Sequence, residues 1–441
     1  MTTVLGILAG VLILGLIMVL HELGHFLTGR MFGFKIDQFS IFMGPVLWER
    51  EKDGIRYNIK AIPLGASVSF AGEASEIEGQ EDDSEIDPDD PSLFENKPKW
   101  QRAIVIAAGP LMNFLTAFIV FIIMFAAQGA VVPDIGEIPE GSLIAESRME
   151  VGDTIRRING TRIATTMDVA ITEMSHKPGA AWRVEYETKN GAIRTETLTP
   201  DELKPRPMLG ISYTTTDDVY EIVQVHPDAD RGPEGYMVGD RLISLDGITF
   251  DEGERITEAV TASAGAPMRA VVERNGHVVE LDVEPVMLAV EQPLGLVMTL
   301  SDRAGDVISQ GVRYPWSIIR TTVRGLGMLF AGELKFRDSF AGPIAIVSMA
   351  TTSVTQGGTF GQIMERLGSL LGLLSVAVGF TNLIPIPPLD GNHLLLLGVE
   401  AIRRKPLSER FKTVTGMIGL GFFLILGISV IVLDILRLLG R

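Results

Sequence analysis

The chain has 441 residues, room for about three domains at roughly 150 residues each. Its 38 Lys and Arg against 55 Asp and Glu leave a net charge of -17, which argues against nucleic acid as a partner, and the lack of cysteine excludes a disulfide scaffold. With 21% charged residues and a mean hydropathy of +0.28, it is too apolar for an ordinary soluble enzyme and reads as a membrane protein.

Four uncharged stretches are long enough for the roughly 20 helical residues that cross a bilayer. The first, Val4 to Leu20, runs on through His21-Glu22-Leu23-Gly24-His25 and predicts a span over 1–30. It lacks the basic leader and small-residue cleavage site of a signal peptide, so we expect it to be retained. A loop at 31–102 follows, in which 34–48 and 55–70 read as strands joined across Asp53-Gly54. The same loop carries eleven acidic residues and no Lys or Arg between Glu73 and Glu95, a solvated run. The second span is predicted over 103–133.

Beyond it a motif occurs twice. Val151-Gly152-Asp153-Thr154-Ile155-Arg156-Arg157-Ile158-Asn159-Gly160 returns 87 residues later as Val238-Gly239-Asp240-Arg241-Leu242-Ile243-Ser244-Leu245-Asp246-Gly247. Each copy is a short apolar strand closed by a hairpin dipeptide, so two similar modules are expected, at 134–214 and 215–302. Each is followed by Leu-Gly and an apolar residue, Leu209-Gly210-Ile211 and Leu294-Gly295-Leu296. These motifs resemble tandem PDZ domains, in which a Leu-Gly edge accepts a peptide as an added strand.

Over 303–366, apolar residues from Ile308 through Val312, Trp316, Ile319, Val323 and Leu326 to Phe330 recur at helical spacing with arginines off that line. We expect this amphipathic helix and the broken apolar stretch 339–364 to lie on or partly in the outer interface. The third span is predicted over 367–391, a loop over 392–412 and the last span over 413–436. Lys and Arg crowd the ends of the first and last connections, which predicts both on the cytoplasmic side and the two modules outside.

Chemistry concentrates in the first span. His21 and His25 lie one helical turn apart and project from one face, with Glu22 beside them, the H-E-x-x-H pattern in which two imidazoles hold Zn²⁺ and the Glu acts on water at the metal. Ionisable groups inside a span cost roughly 2.5–3.5 kcal/mol each, so three on one turn imply a compensating cation. A catalytic zinc takes a third protein ligand. Spans one and three run in the same direction, so Asp390 ends at the depth of the histidines, with His393 as its competitor. Asn113 and Asn382 are amides in apolar spans and thus candidates for substrate or oxyanion contacts.

The first-span motif, paired with Asn382-Leu383-Ile384-Pro385-Ile386-Pro387-Pro388-Leu389-Asp390-Gly391, resembles the site-2 intramembrane zinc metalloproteases. With Gly109-Pro110-Leu111-Met112-Asn113-Phe114, the paired modules and the last span, the resemblance covers nearly the whole chain and extends to the bacterial regulator of sigma-E protease subgroup. It implies a multi-domain membrane protein: an α-helical bundle of four transmembrane helices, a cytoplasmic membrane-associated β-hairpin and two extracytoplasmic PDZ-like β/α domains. It implies one zinc per chain on His21, His25 and Asp390, with Glu22 as catalytic base and Asn382 near the substrate. Ala61-Ile62-Pro63-Leu64-Gly65 resembles the family's β-loop, which makes Ile62, Leu64 and Gly65 candidates for holding a substrate strand. Implied partners are single-span membrane proteins, membrane lipid and an upstream site-1 protease acting on the same substrate, in the bacterial inner membrane with the active site near the cytoplasm. The acidic run maps onto no family feature. The alternatives are a zinc transporter and a catalytically silent scaffold built on the PDZ-like modules.

Overall fold

The computed structural model describes residues 2–72, 89–201, 205–216, 219–229, 231–250, 253–274, 276–289, 291–332, 342–356 and 358–438. Most of the expected acidic run (73–88) and the stretch 333–341 lie outside the described residues. Among those described, four helices are long and apolar enough to cross a membrane. They are α1 (Thr2–Met31), α2 (Lys99–Gln128), and the later helices Phe360–Asn382 and Glu409–Leu438.

Between α1 and α2 lie two long strands, β1 (Ile36–Lys52) and β2 (Ile55–Phe70). They turn at Asp53 and Gly54, both with positive φ. The strands bend, so that the first half of β1 is flanked twice by β2. Ile41 pairs with Ala66 on one side and with Ile59 on the other. Residues 62–70 therefore form an edge of this sheet. Phe26, Phe34, Phe39, Phe70 and Phe94 join Val105 of α2 in a buried cluster that fixes the sheet against both helices.

The second span ends earlier than expected. Gly129, at φ 89°, terminates α2, and Ala130, Val131 and Val132 enter a strand instead, β3 (Ala130–Glu137). The first β module then continues through β4 (Thr154–Ile158), β5 (Thr161–Arg162), helix α3 (Thr166–Met174), β6 (Trp182–Glu187) and β7 (Ile193–Leu198). A two-stranded ribbon of β8 (Pro205–Met208) and a later strand, Val286–Ala289, leads out of it and back. Inside that loop sit β9 (Ile211–Thr216), β10 (Val219–Val225), β11 (Arg241–Leu245), β12 (Ile248–Thr249), helix α4 (Gly253–Ala262), β13 (Met268–Arg274) and β14 (His277–Val283), which form the second sheet. After the returning strand β15 (Val286–Ala289), β16 (Val297–Ser301) pairs with β3 and completes the first sheet, ordered β16-β3-β4-β6-β7.

The second module is thus inserted into the first, which corrects the expected division. A boundary at 214/215 cuts through β9, and the Leu-Gly pairs exchange owners. Leu209 and Ile211 pack against the second core, whereas Leu294 is buried in the first. The physical cause is edge pairing and burial: the antiparallel ribbon brings the chain back to the unpaired side of β3. The repeated motif itself falls on equivalent strands, β4 and β11. Each is closed by a turn with two positive φ angles, at Asn159-Gly160 and Asp246-Gly247.

Helix α5 (Ala304–Phe330) covers the expected amphipathic stretch and wedges between α2 and the first module. Gln310 donates to the Ala164 carbonyl, and Ser317 and Arg320 reach the buried Asp168 carboxylate of α3. Next comes α6 (Pro343–Thr355), about 20 Å long at 1.5 Å per residue and too short to cross. It packs on the N-terminal part of α1, where a Cβ on Gly10 would lie 2.9 Å from the Val347 backbone. The third long helix, α7 (Phe360–Asn382), stops well before Asp390, because Pro385, Pro387 and Pro388 cannot continue a helix. Asp390 instead opens a new helix, α8 (Asp390–Arg403), which starts at the expected end of the third span and continues through the first half of the expected last loop. The final helix is α9 (Glu409–Leu438). Glu400 of α8 contacts Lys99 at the start of α2 and Lys412 early in α9, so the basic ends of both connections meet at one end of the bundle.

A candidate zinc centre in the helix bundle

The site forms where α1, α2 and the start of α8 converge. The His21 and His25 side chains are 7% and 9% exposed, so their imidazoles have left solvent almost completely. Their Nε2 atoms face each other at 3.2 Å. Asp390 Oδ2 lies 3.0 Å from His21 Nε2 and 3.6 Å from His25 Nε2. Ligand-capable atoms of the three residues all fall within 4.8 Å of one another. His393, the rival third ligand, is exposed on α8 and outside this cluster.

Three features of this structure fit a divalent cation. Asp390 Oδ2 is buried without an aligned hydrogen bond, although two imidazole nitrogens are near it. Two imidazoles and one carboxylate form a donor set that suits zinc and leaves a position open. The third feature is space. Gly109 of α2 lies over both rings, where a Cβ would overlap His25 Nε2 and come within 2.9 Å of His21 Cε1.

The α2 helix is the back wall of the site. Val105, Gly109 and Asn113 are four residues apart and share one face. The Val105 carbonyl accepts from His25 Nδ1 at 2.8 Å, which leaves His25 Nε2 with its lone pair toward the centre. Asn113 is fully buried, with its side-chain nitrogen 3.2 Å from His21 Nδ1. Small residues allow this approach: a Cβ on Gly24 would lie 2.8 Å from the Ala108 carbonyl carbon. Gly391 serves the other wall, since a Cβ there would strike the carbonyls of Leu383 and Ile384.

Glu22 stands beside the cluster and accepts from the Val68 N–H at 3.0 Å. The strand residue that reaches Glu22 is therefore Val68. The expected substrate-strand residues lie further along the strand, where Ile62 and Leu64 are exposed and Pro63 passes Gly15 of α1. Asn382 ends α7 and is half-buried. Asn113 meets the Nδ1 side of His21, whereas Asp390 lies at its Nε2. Sequence reasoning missed Val68, Val105 and Gly109. The four-residue spacing of Val105, Gly109 and Asn113 was the available signal.

The family model for peptidase family M50 matches residues 9–426. This chain belongs to peptidase family M50. Among curated relatives, the M50 chain is 28% identical to the regulator of sigma-E protease RseP of Escherichia coli (strain K12), over 92% of this chain and 93% of the relative. A putative zinc metalloprotease of Vibrio cholerae is 27% identical, over 93% of this chain and 94% of the relative. One from Mesorhizobium japonicum is 27% identical over 92% of each. The M50 chain is accordingly a zinc-dependent metalloprotease, and the transporter and silent-scaffold alternatives are set aside.

Proposed function

We propose that this M50 chain is an intramembrane endopeptidase that cuts the membrane segments of single-span proteins, with His21, His25 and Asp390 as zinc ligands and Glu22 as general base. The convergence of those three ligand atoms beside Glu22, two of them on the apolar helix α1, carries the reading. Zinc held there supplies Lewis acidity to a peptide carbonyl and to water. Glu22 takes a proton from the attacking water and returns it to the departing amine, so that the C–N bond is exchanged for a carboxylate and a free amine.

A helical substrate must unwind first, because its scissile carbonyl is tied up in an intrahelical bond. The edge strand 62–70 is suited to hold it extended. N–H and C=O of one residue point to the same side of a strand, so with Val68 turned to Glu22, Ala66 also presents its polar groups on that outer edge. A substrate strand added there would pass beside Glu22.

The ends rich in Lys and Arg, gathered around Glu400, support a cytoplasmic location for that side and put the β modules outside. Both modules are read as PDZ-like. Between β9 and α4 the second holds a cavity of about 450 Å³ lined by Leu209, Gly210, Ile211, Phe250, Ile256 and Val260, suited to an apolar chain end. Such an end is what an upstream site-1 protease leaves when it trims a substrate's outer domain. The relatives named for sigma-E regulation point to regulated proteolysis in a bacterial inner membrane.

The test is cleavage of a single-span substrate by purified full-length protein and by Glu22→Gln, with zinc per chain measured in both. Retained zinc with turnover down about 10²–10⁴-fold is expected. Unchanged turnover in Glu22→Gln would remove Glu22 from the chemistry.

A further inference from the structure

We propose that Asn113 is the positioning residue for His21: its carboxamide oxygen accepts the His21 Nδ1–H and so keeps Nε2 free for the metal. The inference rests on the zinc reading above. It starts from an asymmetry between the two imidazoles. His25 Nδ1 faces a carbonyl, Val105 O at 2.8 Å, an acceptor in any circumstance, so its Nδ1 carries the proton and its Nε2 the lone pair. His21 Nδ1 faces a carboxamide, which offers either a donor or an acceptor.

With the amide nitrogen toward the ring, His21 Nδ1 is the acceptor and the ring proton sits on Nε2. There it faces Asp390 Oδ2 at 3.0 Å and occupies the lone pair that a metal needs. A half-turn of the carboxamide exchanges its oxygen and nitrogen, atoms of nearly the same size, and puts an acceptor in the same place. The ring proton then belongs on Nδ1, and Nε2 opens. In the first orientation the carboxamide oxygen is buried without a partner, so no competing bond holds the group there. The rest of Asn113 is fixed: the residue is fully buried, its carbonyl accepts from Ser375 Oγ at 3.1 Å, and its Cβ abuts Gly379 of α7.

The test uses full-length protein in detergent, with zinc affinity measured by chelator competition for wild type, Asn113→Leu and Asn113→Asp. Leucine matches the volume and offers no acceptor, so affinity should fall about 10–100-fold, the usual effect of losing such an outer partner. Aspartate offers acceptors alone and should hold zinc at least as tightly as wild type. A merely structural amide predicts the reverse order, because a buried carboxylate disturbs packing more than an isosteric apolar group. Asn113→Leu with wild-type affinity, or Asn113→Asp weakened tenfold or more, overturns the proposal. If Asn113→Leu does not fold, the Asn113→Asp affinity decides alone. Wild type without zinc overturns the metal reading and this inference together, whereas zinc-loaded wild type beside an equally loaded Asn113→Leu overturns only the inference.

Discussion

Gly109→Ala tests how closely α2 lies over the two imidazoles. The added methyl would overlap His25 Nε2 and sit 2.5 Å from His25 Cε1 and 2.9 Å from His21 Cε1. Carbon atoms rest comfortably at about 3.5–4.0 Å, so the His25 ring or the helix must retreat by about 1 Å. The ring has little freedom, because Nδ1 is held by the Val105 carbonyl. The helix has little either, because Gly24 already brings α1 against Ala108. Overpacking of this kind costs about 1–3 kcal/mol of stability. A displacement of about 1 Å in a catalytic constellation costs on the order of 10²-fold in rate. Zinc per chain, substrate cleavage and thermal melting should be measured together. Gly398→Ala serves as the control, since nothing lies within 4 Å of a Cβ there and the site is helical. We expect Gly109→Ala to lose at least tenfold in zinc affinity and about 10²-fold in turnover, with Gly398→Ala unchanged in both. Wild-type zinc affinity and turnover in Gly109→Ala would refute the packing of α2 on the imidazoles.

Three further outcomes are expected. Asp434, buried in α9, accepts from the N–H groups of Gly342 and Ala345 and caps α6, so Asp434→Ala should cost about 0.5–2 kcal/mol in thermal or denaturant unfolding. Burial alone would raise the Glu400 carboxyl, but the Leu407 N–H and the Lys412 and Lys99 ammonium groups outweigh it and hold it below the usual range. Its contribution is therefore present at neutral pH and lost on acidification below about pH 4; melting followed from pH 6 to pH 3 should fall less steeply for Glu400→Gln than for wild type. Ala66→Pro removes an N–H on the outer edge without breaking a bond to β1, so turnover should drop about tenfold or more while zinc content holds; equal turnover would argue against strand addition.

The cluster of His21, His25 and Asp390 beside Glu22 was legible because its signals are local or topological. His21, Glu22 and His25 share one turn, and Asp390 follows from the direction of two spans. The nested modules were not legible, because Leu209 and Leu294 stand in similar positions after their repeats and only the pairing of β16 with β3 decides which core each joins. Nor was the break after Asn382, where prolines end α7 and Asp390 starts a helix of its own. The candidate strand residues Ile62, Leu64 and Gly65 share a strand with Val68, which meets Glu22. The contact to Glu22 comes from a backbone N–H, at Val68, and backbone groups leave no mark in residue type. Asn113 was visible as a buried amide, but which group it faces depends on the rotation of α2 against α1.

The most direct measurement is zinc K-edge X-ray absorption on the full-length protein loaded with one equivalent of metal. The account predicts a first shell of nitrogen and oxygen at about 2.0–2.2 Å with scattering from two imidazoles, and loss of the bound zinc in His25→Ala and Asp390→Ala. A shell without imidazole scattering, or full zinc retention in both variants, would contradict it.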